Sequence, residues 1–263
     1  MAAMLLAACA LSPATVEERT PKLEYATKGT VALTVVDNRP FVVSGEKEEA
    51  CEGIYRGGYG IPFAFEGMRK DDEGTPYTTR ISEILSKALY NAGSTANVIQ
   101  TPKGSSVQSA INGLRAVPFD AGLIVNVLDS RIDAGGARWS YFFDYEIIVI
   151  DHAGTIVSRK KYDGEDVDFQ RELFHSGNDK GKNYSFAAVL DLHYRNKFAA
   201  YLNDREMQAA LASPRAVAAT AGARGQADRG GAQRLAELKA MLDKGLITPD
   251  DYEEKKAEIL QSL

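Results

Sequence analysis

The sequence predicts an α+β fold, a β-loop-α-β-α-β-β-β-α layer with helices on a largely antiparallel sheet, followed by a C-terminal helical hairpin. Three observations lead there. From Trp139 to Ile150 large apolar residues alternate with polar ones, the two-residue period of a strand with one buried face. Thr30–Val36 and Ala121–Leu128 are rich in β-branched and apolar residues, which suits further strands. Stripes at three- and four-residue spacing mark helices between and after them.

Taken in order, Thr30 to Val36 is the first strand, and it stops at Asp37-Asn38-Arg39-Pro40, where proline cannot donate to a ladder. Phe41-Val42-Val43 is a candidate short strand within Phe41–Tyr77, a long stretch of weak periodicity that mixes glycine with aromatics. Structureless loops longer than ~12–15 residues are uncommon in compact domains and tend to be functional or disordered. Ile81, Ile84, Leu85, Ala88 and Leu89 share a helix face, with Thr78 or Thr79 as N-cap and Gly93 just past the end. Ala96–Gln100 is a short strand. Ser105 or Ser106 caps a helix whose inner face is Val107, Ala110, Ile111 and Leu114.

Ala121–Leu128 is apolar almost throughout and is expected at the sheet centre, covered on both faces. Trp139, Tyr141, Phe143, Tyr145, Ile147 and Val149 form the core face of the next strand. After the turn Asp151-His152-Ala153-Gly154, Thr155–Tyr162 returns as an edge blunted by Arg159, Lys160 and Lys161. A glycine- and charge-rich loop leads to Ser185, the cap of a long helix striped by Phe186, Val189, Leu190, Tyr194, Phe198, Tyr201 and Leu202.

Composition narrows the function. The 263 residues are 44% hydrophobic and 25% charged, enough for one or two domains with a real core. No apolar stretch approaches the ~20 residues of a membrane-spanning helix. A net charge of −5 argues against nucleic acid, which needs a concentrated basic face. Cys9 and Cys51 are the two cysteines, too few for a disulfide framework.

Catalytic patterns fail one by one. Gly58-Tyr59-Gly60-Ile61-Pro62-Phe63 lacks the third glycine of a dinucleotide turn, and Pro62 blocks the helix that should follow. Gly177–Asn183 is one residue short of a phosphate loop and ends in Asn183, where Ser or Thr should bind magnesium. His152, His175 and His193 stand at no metal-ligand spacing. His193 falls on the apolar side of its helix and is expected in the core. Asp144 and Glu146 share a strand face, as a solvated surface also would. No catalytic residue, cofactor or metal is therefore assigned, and the chain is expected not to be an enzyme.

Leu6-Ala7-Ala8-Cys9 closes an apolar run and resembles the bacterial lipobox. That resemblance implies removal of residues 1–8 as a signal peptide and acylation of Cys9, with membrane anchoring. No Lys or Arg precedes Cys9, although a signal peptide opens with a basic region, so the true start is expected upstream. Ala10 after the cysteine implies the outer membrane, facing the periplasm. Residues 9–28, polar and carrying Pro13 and Pro21, are expected to be a tether to an α+β domain at 29–204. Residues 205–231 form a linker, in which any helix through Met207 and Leu211 should fray by Pro214.

At 232–263 Leu235, Leu238, Met241 and Leu242 make one helical stripe and Gly245 ends it. Thr248, Pro249 and Asp251 start a second helix bearing Tyr252, Ile259, Leu260 and Leu263. Leu235–Lys256 resembles the SHOCT family, which implies oligomerisation or interaction. So short a module buries too little surface to stand alone, so Leu235, Leu238, Leu242, Tyr252, Ile259 and Leu260 are expected to contact another copy or a partner. Val31–Pro40 is similar to YajG-type lipoproteins. The order of elements also resembles activator lipoproteins of penicillin-binding proteins and the curli-secretion lipoproteins.

The expectation is a lipid-anchored envelope protein with a binding or assembly role. Tyr55, Tyr59, Phe63 and Phe65 are the candidate recognition residues, since aromatics supply much contact energy at low entropy cost. The alternatives are a cytoplasmic interaction protein without lipid and a hydrolase with an unrecognised site.

Overall fold

A computed structural model describes residues 13–56, 58–65, 74–135, 138–179 and 181–212, together with Lys239, Tyr252 and Lys256. The chain divides into two units, Met1–Pro214 and Arg215–Leu263. Cys9 and most of the C-terminal module lie outside the described residues. Within that module Tyr252 and Lys256 are helical, and the Lys256 ammonium stands 5.5 Å from the Tyr252 ring centre.

The first unit is α+β, built on one seven-stranded sheet. Its spine is β5 (Ala121–Gly135), paired along its whole length with antiparallel β6 (Arg138–Asp151). Outside β6 runs antiparallel β7 (Ile156–Val167), the edge that its basic residues suggested. The other side of β5 is shared. Its first half pairs in parallel with β1 (Thr30–Asp37), which carries β4 (Thr95–Val98), also parallel. Its last four residues pair in parallel with β2 (Gly53–Arg56), which carries antiparallel β3 (Pro62–Phe65). The sheet is thus mixed, with its two longest ladders antiparallel.

Helices cover both faces. On one, α4 (Val107–Leu114), capped by Ser106, sets Ala110, Ile111 and Leu114 against Ile124, Ile148 and Ile150. On the other, α6 (Phe186–Leu202), capped by Ser185, lies over the aromatic stripe of β6. There Tyr145 meets Phe198 at 5.4 Å and Trp139 meets Phe186 at 4.2 Å between ring centres. α3 (Tyr77–Asn91) packs on β1 and β4. Burying each such large side chain is worth about 1.5–3 kcal/mol.

Six expectations are corrected. Phe41-Val42-Val43 is not a strand but part of α2 (Pro40–Val43), because Pro40 sits at the first helical position, where its fixed φ suits a helix and its missing N–H costs nothing. The loop expected from Phe41 to Tyr77 contains the β2–β3 hairpin. At the start of α3 the cap position is Pro76, with no side-chain bond, and not Thr78 or Thr79. The loop after β7 holds α5 (Gln170–Asp179), and Arg205–Ala212 is helix α7 with Met207 fully buried against β6 and β7.

The sixth correction concerns the polar N-terminal segment, which is laid onto the domain from Thr15 onward. Thr15 and Glu18 form a reciprocal capping box that starts α1 (Val16–Arg19). Glu18 reaches Lys182 at 2.5 Å and accepts from the Tyr184 hydroxyl at 3.0 Å, while Arg195 donates to the Glu18 carbonyl at 2.9 Å. Further on, Asn203 accepts from the Glu24 N–H and donates to the Lys22 carbonyl. Polar side chains, not an apolar stripe, hold this segment, so its composition resembled that of a free linker.

Candidate functional site: a hairpin positioned by buried ion pairs

The β2–β3 hairpin arises where β5 changes partners. β1 ends at Asp37, and Asn38 closes its ladder by donating to the Val127 carbonyl at 2.8 Å. β2 takes over when Ile132 donates to the Glu52 carbonyl at 2.7 Å. Arg39 fills the gap. Its guanidinium holds both Asp37 carboxylate oxygens, at 2.8 and 2.7 Å, and donates to the carbonyls of Cys51 at 2.5 Å and Glu49 at 3.0 Å. Arg39 is fully buried and Asp37 nearly so. Burial works against the Arg39 charge, but the hydrogen bonds and charge of Asp37 outweigh it and hold the guanidinium above its usual pKa.

A second buried pair sits beside the first. Glu52, the residue before β2, contacts Arg80 on α3 and accepts from the Tyr194 hydroxyl on α6 at 2.6 Å. Next to it the hydroxyls of Tyr77, Tyr141 and Tyr145 converge on Ser130, whose hydroxyl oxygen lies 2.9–3.0 Å from all three. Burial pushes all three phenols up, so they stay protonated as hydrogen-bond partners. Removing one member of a buried ion pair typically costs about 3–5 kcal/mol. Such strong constraints fix where the excursion from β1 to α3 runs.

Gly53 completes the join. Its φ is +136°, and a Cβ there would lie 2.1 Å from the Ile132 carbonyl oxygen, so only glycine lets β2 reach β5.

What this framework holds out is apolar. In the turn, Tyr59 adopts a left-handed conformation at φ 61°, which costs an L-residue about 1–2 kcal/mol, and its side chain is fully exposed. Ile61 is 54% and Phe63 55% exposed. Tyr55 pairs with Phe63 and Gly53 with Phe65 across the ladder. The hairpin therefore gathers all four candidate recognition residues. Arg56, beside the turn, is bidentate to Asp133 on β5, at 2.9 Å for both contacts.

Elsewhere His193 is buried as expected, with Nε2 3.2 Å from Asp166, which Lys197 also approaches at 2.8 Å. Burial lowers the His193 pKa and prevails over the carboxylate, so the ring stays neutral. Asp144 and Glu146 do not act as a pair; each faces a basic side chain of β7, Lys161 and Arg159 respectively. Among the described residues no three His, Cys, Asp or Glu side chains cluster to hold a metal, and no helix is long and apolar enough to cross a membrane.

Sequence reasoning missed the buried ion pairs. Asp37-x-Arg39-Pro40 directly after a strand was their only local signal, while Glu52 and Arg80 are joined through space alone.

The family described as short C-terminal domain, SHOCT, matches residues 233–260. Two solved structures match much of the chain at low TM-scores. Protein XCC0632 from Xanthomonas campestris, of the DUF330 family, is 9% identical, with 76% of this chain and 90% of that one covered at a TM-score of 0.38. The hypothetical protein CT253 from Chlamydia trachomatis is 13% identical, with 68% and 98% covered at a TM-score of 0.37. Neither is described as a YajG-type lipoprotein. No curated protein matches the chain.

Proposed function

We propose that this chain is a non-enzymatic envelope lipoprotein. Cys9 carries the lipid, the α+β domain presents its β2–β3 hairpin to an envelope component, and the C-terminal module joins copies through Leu235, Leu238, Leu242, Tyr252, Ile259 and Leu260. The observation that carries the binding role is the build of the hairpin. Two buried ion pairs and a compulsory glycine are spent on fixing a segment whose outer end exposes Tyr59, Ile61 and Phe63. Contiguous apolar exposure on a folded domain marks an interaction surface. The SHOCT match at 233–260 supports the assembly role, and the lipobox resemblance at Leu6–Cys9 supports the anchor.

Mass spectrometry of the protein from its native host tests the anchor, with an N-terminal diacylglyceryl Cys9 expected. An intact, unmodified leader refutes it. Sedimentation of the full chain tests assembly. Leu238→Asp with Leu242→Asp should shift an oligomer to monomer, and an unchanged sedimentation profile removes the assembly role.

A further inference from the structure

The N-terminal segment and the aromatic hairpin reach the same end of the domain. Arg56, the last residue of β2, lies beside Gly135, which pairs with Arg138 at the start of β6. The next residue, Trp139, packs on Phe186, the first residue of α6. Lys182 and Tyr184, just before α6, hold Glu18 of α1. From there the N-terminal segment runs back along α6 toward Asn203 at its far end. The turn after β2 and the start of α1 therefore lie at one pole.

Exposed apolar side chains collect at that pole. Val167, which pairs with Ser140 beside Trp139, is 48% exposed, Val16 of α1 is 52%, and Tyr59, Ile61 and Phe63 complete the group. Cys9 is six residues before Thr15, a reach of at most about 20 Å even fully extended. The far end of α6, seventeen residues long, is about 25 Å away. With α1 docked, an acyl chain on Cys9 keeps the hairpin pole next to the lipid.

We propose that the envelope component met by the hairpin tip is the bilayer itself, with Tyr59, Ile61 and Phe63 entering the boundary between headgroups and acyl chains. This rests on the lipid-anchor reading and names the partner of the same site. The chemistry fits. Gly57 to Phe65 contains no charged residue, and aromatic side chains favour the membrane interface. The antiparallel ladder between β2 and β3 satisfies backbone groups that would otherwise be costly to bring toward lipid. Arg56, which flanks the turn, and Arg138, opposite the end of β5, are both exposed at the same pole and can meet phosphate headgroups there.

The test couples the full chain through the Cys9 thiol to vesicles of phosphatidylethanolamine and phosphatidylglycerol that carry a maleimide lipid and brominated acyl chains. Cys51 is 1% exposed, and Cys9→Ser serves as the uncoupled control. In a Tyr59→Trp chain, the introduced tryptophan should shift to the blue and lose at least half its emission to the bromines. Adding Phe63→Ser should reduce that quenching at least threefold, while the buried Trp139 of the unsubstituted chain stays unquenched. Equal emission with brominated and unbrominated vesicles overturns the proposal. So does a blue shift that appears without vesicles and grows with protein concentration, which would make the occupant a second copy. Because the coupling is chemical, this result is independent of whether the native host acylates Cys9. Absence of that lipid in mass spectrometry would refute the anchor and leave the quenching result standing.

Discussion

Replacing Arg39 with methionine tests the positioning argument most directly. The substitution keeps a long side chain but leaves Asp37, 2% exposed, as a buried carboxylate without its bidentate partner. It also strips donors from the carbonyls of Glu49 and Cys51. Breaking a buried pair on one side costs about 3–5 kcal/mol. For a domain of this size each kcal/mol is worth roughly 2–4 °C, so the melting temperature should fall by on the order of 10 °C. The double variant Asp37→Leu with Arg39→Met carries no stranded charge and should be more stable than Arg39→Met alone. Urea unfolding of both variants measures the difference. A loss below about 1 kcal/mol for the single variant, the level of an exposed pair, would refute the reasoning, and so would a double variant less stable than the single one.

Other outcomes follow from the same packing. Gly53→Ala forces a Cβ onto the Ile132 carbonyl at an unfavourable φ, a strain of about 1–3 kcal/mol. It should accelerate amide exchange in β2 while β1 stays protected, and unchanged exchange in β2 would refute it. Met207→Ala should cost about 2–5 kcal/mol as a core truncation; a negligible loss would show that α7 is not part of the core. Glu18 has its pKa lowered from 4.5 to about 2, chiefly by its hydrogen bond to Lys182. Because the folded value lies below the unfolded one, its stabilisation is complete above about pH 5 and is lost as pH falls toward 2. The stability gap between the native chain and Glu18→Gln should close over that window, and a gap constant from pH 6 to pH 2 would count against the docking of α1.

Strands and helices with regular periods were legible in the sequence. The Trp139–Ile150 alternation, the Ser106 and Ser185 caps and the basic edge β7 stand where their patterns put them, because each obeys a local rule. What escaped was set by contacts distant in sequence. β2 pairs with the end of β5 some eighty residues on, and its four residues carry too short a pattern to announce themselves. α1 and the chain after it are held by polar bonds to Lys182, Arg195 and Asn203, so their composition resembled that of a free spacer. The aromatic residues of the 55–65 stretch were recognisable by type, but their arrangement on a hairpin depended on Arg39 and Glu52, whose partners no spacing reveals.

The parallel pairing of β2 with β5 has a mechanical consequence. Both strands run toward the pole that bears Tyr59, so a pull on the tip along the strand axis stretches every bond of that short ladder at once. None can be peeled away ahead of the others. The load passes into β5 and onward into β6, the longest ladder of the domain. A hairpin mounted in this way resists being drawn outward while its turn stays free to adapt to whatever it touches.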